Sequence, residues 1–131
     1  MQVSNFIWVG DQPTREPKFS TADDLCHALH KISGQFAIEI EERDGAYVLV
    51  RDPLGINKLF FAVGESTIES SNFLIDLVGR GHRLEEVYSV PSGHTVVVDP
   101  ARKTLKLSKY SKLGFNENGT DVRLIGTSFF P

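Results

Sequence analysis

The chain has 131 residues, of which 40% are hydrophobic and 24% charged, and its formal net charge is −3. A chain of this size forms one domain without a metal or disulfide staple, and its single cysteine, Cys26, excludes an intrachain disulfide. The sequence has no basic patch, no recognisable secretory signal and no apolar run close to the roughly 20 residues that span a bilayer. We therefore predict a cytoplasmic protein without nucleic-acid or membrane partners.

The first third of the chain predicts a strand, a loop and a helix. The apolar run Phe6–Val9 predicts a buried strand that ends at Gly10-Asp11, and the prolines and charges of residues 12–18 predict a loop. Ser20 and Thr21, each with an aspartate three residues later, predict a capped helix start. Apolar residues at i, i+3, i+4 and i+7 predict one face of that helix, and Ser33-Gly34 is expected to end it; the face comprises Leu25, Ala28, Leu29 and Ile32.

The middle of the chain predicts paired strands. Residues 35–42 alternate, so that Phe36, Ile38 and Ile40 face one way and Glu39 and Glu41 face solvent. Asp44-Gly45 predicts a hairpin turn into a strand at residues 46–50 that is buried on both faces. Further strands are expected at residues 59–62, 67–70, 87–90, 95–98 and 104–110, with a short helix at 72–78. The pattern is typical of a β-rich α+β domain over residues 1–110.

From about residue 111 the periodic pattern fades. Residues 111–131 are interpreted as a tail or linker remnant, whose apolar end, Phe129-Phe130-Pro131, either belongs to that linker or docks on the body.

Three sequence pieces resemble, in order, the glutaminase domain of class II glutamine amidotransferases of the asparagine synthetase and amidophosphoribosyltransferase type. The first, Gly34-Gln35-Phe36-Ala37-Ile38, resembles the strand that opens the second sheet. The second, Arg51-Asp52-Pro53-Leu54-Gly55-Ile56 with Lys58-Leu59-Phe60-Phe61, resembles the family's R-D-x-x-G-[IV]-[KR]-P-L-[YF]-[YF] turn. The third is Glu69-Ser70-Ser71 before a short helix, followed by Val90-Pro91-Ser92-Gly93-His94.

The second piece describes a structural turn in its own right. Asp52 is expected to accept hydrogen bonds from backbone amides two residues on, Pro53 presets φ, and Gly55 supports a left-handed conformation. Pro91 and Gly93 belong to the matching strand entry. We therefore assign these residues a structural role; the full set is Arg51, Asp52, Pro53, Gly55, Pro91 and Gly93.

The resemblance implies a fold: a two-layer antiparallel β sandwich of the N-terminal-nucleophile-hydrolase type, with one or two short helices in a reduced αββα arrangement. The family attacks glutamine with a cysteine at position two, activated by its own α-amine. Here Gln2 occupies that position, and Cys26 lies in a predicted helix. The family's arginine clamp, Asn-Gly oxyanion hole and Gly-Asp pair have no match between Gly10 and Gly34, and Gly10-Asp11 lies at the wrong place. Glutaminase activity is therefore not expected.

The resemblance also implies a partner, since the family's domain packs against a synthetase or transferase. The leading hypothesis is a shortened pseudoenzyme: a non-catalytic binding or scaffold module that accompanies an asparagine-synthetase-like ATP-dependent ligase. The second hypothesis is an enzyme with a remodelled pocket that uses Arg51, Asp52 or His94. The third is a structural protein that self-associates through a hairpin edge or through Phe129-Phe130.

Other chemistry has weaker support in the sequence, and we expect neither a cofactor nor a metal. Asp23, His27 and His30 share a helix face and could hold a metal, but a solvated polar face is the favoured interpretation. Nothing in the local spacing brings Ser92, His94 and Asp99 together as a triad. Two groups of basic residues are interpreted as solvated turn and strand faces: Arg80, His82 and Arg83, and Arg102, Lys103, Lys106 and Lys109.

Overall fold

The computed structural model describes residues 2–15, 19 and 21–111, together with the backbone of residues 123–124. These residues form eleven strands, two α-helices and a short 3₁₀ helix at Leu84–Glu86. In chain order the strands and helices are β1 (Phe6–Val9), β2 (Gln12–Thr14), α1 (Ala22–Ala28), β3 (Ile32–Gln35), β4 (Ala37–Glu41), β5 (Tyr47–Arg51), β6 (Phe60–Val63), β7 (Ile68–Ser71), α2 (Leu74–Gly79), β8 (Val87–Ser89), β9 (His94–Asp99), β10 (Thr104–Lys109) and β11 (Arg123–Leu124).

The described strands are arranged in three antiparallel sheets. The first sheet has the order β2-β1-β3, the second β10-β9-β5-β4, and the third β11-β8-β6-β7. The described residues therefore contain far more strand than helix, and the helices are few and short. The predicted α+β class is confirmed, while the small first sheet is an addition to the two sheets that the sequence predicts.

The main core lies between the second and third sheets. Alternation along β5 directs Tyr47 and Leu49 into this core, where they join Phe61 and Tyr88 of the third sheet. The rings of Phe61 and Tyr88 stack with centroids 5.0 Å apart. Burying side chains of this size removes large apolar areas from water, so this cluster is the main source of stability.

The outer faces of the two large sheets carry the helices. Val48 and Val50 point away from the main core and pack with Leu25 of α1 and Ile7 of the first sheet. On the opposite side of the molecule, α2 places Leu77 against Ala62 and Val87 of the third sheet. The helices thus lie outside a pair of facing sheets.

Several predictions for the first third of the chain are wrong. The strand Phe6–Val9 is not buried throughout, because only Ile7 is fully covered while Trp8 and Val9 are 40% and 46% exposed. Residues 12–14, predicted as loop, form the edge strand β2, where Pro13 is tolerated because an edge needs fewer amide donors. Helix α1 ends at Ala28, and Ile32 begins β3 and pairs with Val9.

The helix start and the hairpins follow the sequence. The Oγ1 of Thr21 accepts a hydrogen bond from the backbone amide of Asp24 at 3.1 Å, as expected of an N-cap. The turn at residues 43–45 joins β4 to β5, whose residues 47–50 are all buried. Glu39 and Glu41 are exposed, as their alternation with buried isoleucines predicts.

Most of the predicted tail, residues 111–131, lies outside the described residues. Ser111 is described, and the backbone of residues 123–124 adds β11 to the third sheet beside β8. The proposed role of Phe129-Phe130 therefore stays a prediction. Across the described residues, no helix has the length and apolarity needed to cross a membrane.

Candidate functional site

Asp52 joins separate segments of the chain through its buried carboxylate and its backbone oxygen. Its Oδ2 accepts the backbone amides of Phe36 at 3.2 Å and Asn57 at 2.9 Å, and its Oδ1 accepts that of Ile56 at 2.8 Å. Its own backbone oxygen accepts the amide of Gly93 at 2.9 Å. The side chain thus bonds to amides four and five residues on, where the sequence predicts amides two residues on.

Arg51, the neighbouring residue, donates three side-chain hydrogen bonds to backbone carbonyls. Its Nε donates to the carbonyl of Asn57 at 3.0 Å, one terminal nitrogen to Val90 at 2.9 Å, and the other to Gly55 at 2.8 Å. A guanidinium whose donors are directed at carbonyls in a fixed geometry positions loops. The cation therefore connects the turn after β5 to the segment that follows β8.

We name this arrangement the Asp52 corner; it comprises Arg51, Asp52, Pro53, Gly55 and Gly93. Gly55 has a φ of +67°, as the predicted left-handed conformation requires, and its amide donates to the carbonyl of Asp52 at 3.1 Å. Pro91 is half-buried between Val90 and Gly93. Parts of the three sequence pieces that carry the resemblance, at Phe36, Arg51–Gly55 and Val90–Gly93, therefore meet at one place, whereas Glu69-Ser70-Ser71 lies in β7.

Tyr110, which follows β10, forms a hydrogen bond to the Asp52 corner. Its hydroxyl donates to the backbone carbonyl of Arg51 at 2.6 Å. Burial, and secondarily the Asp52 carboxylate, raise the pKa of Tyr110 far above the ordinary phenol value. The phenol is therefore a neutral donor in a structural bond.

A second polar cluster, which sequence reasoning missed, anchors the start of the described chain. The Oδ1 of Asn72 accepts the backbone amides of Gln2 at 2.7 Å and Val3 at 3.2 Å, and its Nδ2 donates to the carbonyl of Lys58 at 2.8 Å. Asn72 is fully buried. Asn57, also buried, donates to the carbonyl of Ser4 at 3.2 Å. Residues 2–5 are thus tied to the loop after the Asp52 corner and to the entry of α2.

We expect Asn72→Ala to lower the free energy of unfolding by about 1–3 kcal/mol, because two part-buried amides and a part-buried carbonyl lose their partner. Hydrogen exchange at the amides of Gln2 and Val3, followed by NMR, should become faster. Gln2→Ala is the matched control, since it removes only an exposed bond to Asp76 and should cost about 0.5 kcal/mol or less. Equal effects of the two substitutions would contradict the anchoring role.

Cys26 lies on α1 as an exposed free thiol. Partial burial, followed by the charges of Asp23 and Glu42, raises the pKa of this thiol above its ordinary value of 9.0. A nucleophilic cysteine needs the opposite shift, because the thiolate is the attacking form. The environment of Cys26 therefore does not activate it.

The raised pKa predicts slow alkylation of Cys26 near pH 8, with a rate that climbs as the pH passes above 9.0. Asp23→Asn should increase the rate at pH 8 by about two- to threefold, since a charge at an exposed site contributes less than about 1 kcal/mol. Asp11→Asn, which removes another exposed carboxylate, should leave the rate unchanged. Mass spectrometry of iodoacetamide-treated protein measures these rates, and identical rates in all three proteins would overturn the electrostatic explanation.

The structure does not gather the other candidate residues into a site. Asp23 and His27 are exposed on α1, whereas His30 is exposed in the turn after it, so the predicted helix face shared by the three residues is not formed. The described residues contain no group of three or more His, Cys, Asp or Glu that could hold a metal. The Nδ1 of His94 contacts the backbone carbonyl of Ser92 at 2.8 Å, and Asp99 lies at the far end of β9. The Ser92, His94 and Asp99 triad is therefore not formed.

The two groups of basic residues include ion pairs. Arg80 and His82 both approach the carboxylate of Glu69, at 3.6 Å and 3.2 Å. Arg83 pairs with Glu86 at 2.9 Å. Arg102 approaches Asp99 at 3.7 Å. The arginine side chains are 48–79% exposed, which fits the solvated faces that the sequence predicts, and pairs of this kind contribute little to stability.

Two open grooves mark the described surface. The first has a volume of about 330 Å³ and an almost wholly apolar lining of Phe6, Ser33, Gly34, Gln35, Pro53, Leu54 and Ile56. The second, of about 830 Å³, lies between α1 and the β9–β10 pair. Arg51, Asp52 and His94 line neither groove. The hypothesis of a remodelled catalytic pocket that uses these residues stays a prediction.

No family model matches this chain, and no curated protein matches it with significant similarity.

Proposed function

We propose that this chain is a non-catalytic binding or scaffold module of the glutamine-amidotransferase type, which accompanies an asparagine-synthetase-like ATP-dependent ligase. The observation that carries the proposal is the Asp52 corner, where parts of the three pieces of family-like sequence meet. Its charged side chains bind backbone groups of the same chain. A preserved frame without a catalytic arrangement is the expected state of such a module.

The finer fold type is part of this proposal. We infer an N-terminal-nucleophile-hydrolase fold in reduced form, and two features support it. Two four-stranded antiparallel sheets face each other across one core, and a helix lies on the outer face of each. The start of the described chain runs past the Asp52 corner, where Asn57 and Asn72 hold it.

The non-catalytic part of the proposal rests on the chemistry around this chain start. The groups that bond to residues 2–5 include amides, carbonyls and the carboxylate of Asp76, and the single cysteine lies on α1 with a raised pKa. Amide hydrolysis requires an activated nucleophile and oriented donors for the oxyanion. Among the described residues, no such constellation surrounds the chain start.

The surface that best suits a protein partner adjoins the Asp52 corner. Leu54 and Ile56 are 55% and 56% exposed, and both line the smaller groove beside Phe6. Exposed apolar side chains around a shallow depression are typical of interface centres. The rigid turn that the corner creates presents these two residues outward.

Affinity purification from the native host tests the proposal. Tagged wild-type protein should recover a protein with ATP-dependent ligase activity, identified by mass spectrometry and then rebound in purified form. The double variant Leu54→Glu with Ile56→Glu should lose that partner. Ile75→Glu, a control at a 73%-exposed position on α2, should retain it. Recovery of no ligase, or equal recovery by both variants, would contradict the proposal.

Self-association stays a prediction. Light scattering over a range of protein concentrations measures it directly, and a constant monomer mass would remove it.

A further inference from the structure

Helix α1 covers only part of the outer face of the second sheet. Val48 and Val50 of β5 are buried beneath α1 and the first sheet. Val97, in the interior strand β9, is 37% exposed although it lies in the middle of a four-stranded sheet. The second groove lies over this uncovered part of β9 and β10.

The groove has a mixed floor, in which Val97 is the apolar residue, and lysines on one side. Val97 of β9 pairs in register with Lys106 of β10, and Thr95 pairs with Ser108, so these four residues line the floor together. Leu29 lines the groove from the segment after α1, and Lys109 lines it at the end of β10. Its volume of about 830 Å³ lies within the range of roughly 300–1,000 Å³ that small-molecule sites occupy.

The charged side chains that line the groove are Lys106 and Lys109. The carboxylates of Asp23 and Glu42 act on Cys26 but do not line the groove. The ion pairs found among residues 2–111 do not involve either lysine. An apolar surface beside lysines without acidic partners is complementary to a molecule with an apolar body and a negative end.

We propose that the groove between α1 and β9–β10 binds an amphipathic carboxylate. Its aliphatic body lies along Leu29 and Val97, and its carboxylate lies at Lys106 and Lys109. The hydroxyl of Ser108, on the groove face of β10, supplies a neutral hydrogen-bond donor near the same end. The site goes beyond the proposed scaffold function and does not depend on it.

Cys26 provides a built-in reporter, because it lines the groove and is the single cysteine of the chain. The experiment follows alkylation of the full-length protein by N-ethylmaleimide, at increasing concentrations of octanoate and, in parallel, of 1-octanol. Octanoate should slow the alkylation saturably, and octanol should bind several-fold more weakly. Amide shifts of Val97 and Lys106 in NMR spectra should move over the same octanoate range.

The double variant Lys106→Gln with Lys109→Gln should bind octanoate about fivefold more weakly, as expected for the loss of exposed charge contacts. Lys58→Gln, which removes an exposed lysine elsewhere, should bind like wild type. Unchanged melting of both variants would show that the fold is intact. No protection by octanoate, equal protection by octanol, or equal affinity of the lysine double variant would each overturn the proposal.

Discussion

Replacement of Asp52 by alanine should lower the free energy of unfolding by about 3–5 kcal/mol. The carboxylate is fully buried and accepts the amides of Phe36, Ile56 and Asn57. Its removal leaves the amides of Phe36 and Asn57, whose bonds are buried, and that of Ile56, whose bond is part-buried, without their acceptor. The bond from the Gly93 amide to the backbone oxygen of residue 52 remains. Urea denaturation, with the midpoint and slope fitted together, measures the loss.

Asp44→Asn is the matched control for this substitution. Asp44 also accepts a backbone amide, that of Ala46 at 3.0 Å, but it lies in an exposed hairpin turn where asparagine serves equally well. Its cost should stay below about 0.5 kcal/mol. An Asp52→Ala protein as stable as the Asp44→Asn protein would show that the corner is not the structural joint we describe.

Gly34→Ala should be comparably damaging, with an expected loss of about 3–5 kcal/mol or failure to fold. Gly34 has a φ of +114°, outside the left-handed region that other residues tolerate. A Cβ at this position would overlap the backbone carbonyl oxygen of Phe6 on the adjacent strand β1. Neither strand can move without breaking the β1–β3 pairing, because the obstructing atom is backbone.

Gly10→Ala separates the cost of the positive φ from the cost of the steric overlap. Gly10 also has a positive φ, +60°, but a Cβ there would meet nothing within 4 Å. It should therefore lose only the conformational part, about 1–2 kcal/mol. Thermal melting of both variants measures the difference, and equal losses would show that the close approach of β1 and β3 is unimportant.

The chemistry of the Asp52 corner could be predicted only in part from the sequence. Aspartate before proline, with glycine three positions after the aspartate, is a local signal for a turn, and the structure contains that turn. The partners Phe36 and Gly93 are distant in sequence, and periodicity alone carries no information about such contacts. The resemblance placed all three segments in one family-like order, but it did not specify these bonds.

The errors in the first third have a related physical cause. Ile32 fits the i+7 position of a helical face and also the start of a strand, since a single apolar residue satisfies both periods. Its assignment depends on pairing with Val9, a tertiary contact. The buried roles of Asn57 and Asn72 could not be predicted for a comparable reason. Asparagine in a turn is ordinarily solvated, but here residues 2–4 cover both side chains and bond to them.

We propose that the Asp52 corner stabilises the fold and presents a surface for a protein partner, and that the protein does not hydrolyse glutamine. The most direct test is the release of glutamate from glutamine by the purified full-length protein, measured beside a Cys26→Ser variant and a buffer blank. The account predicts that both proteins match the blank. Glutamate release by the wild type that disappears in the Cys26→Ser variant would contradict it, because the thiol on α1 would then be a working nucleophile.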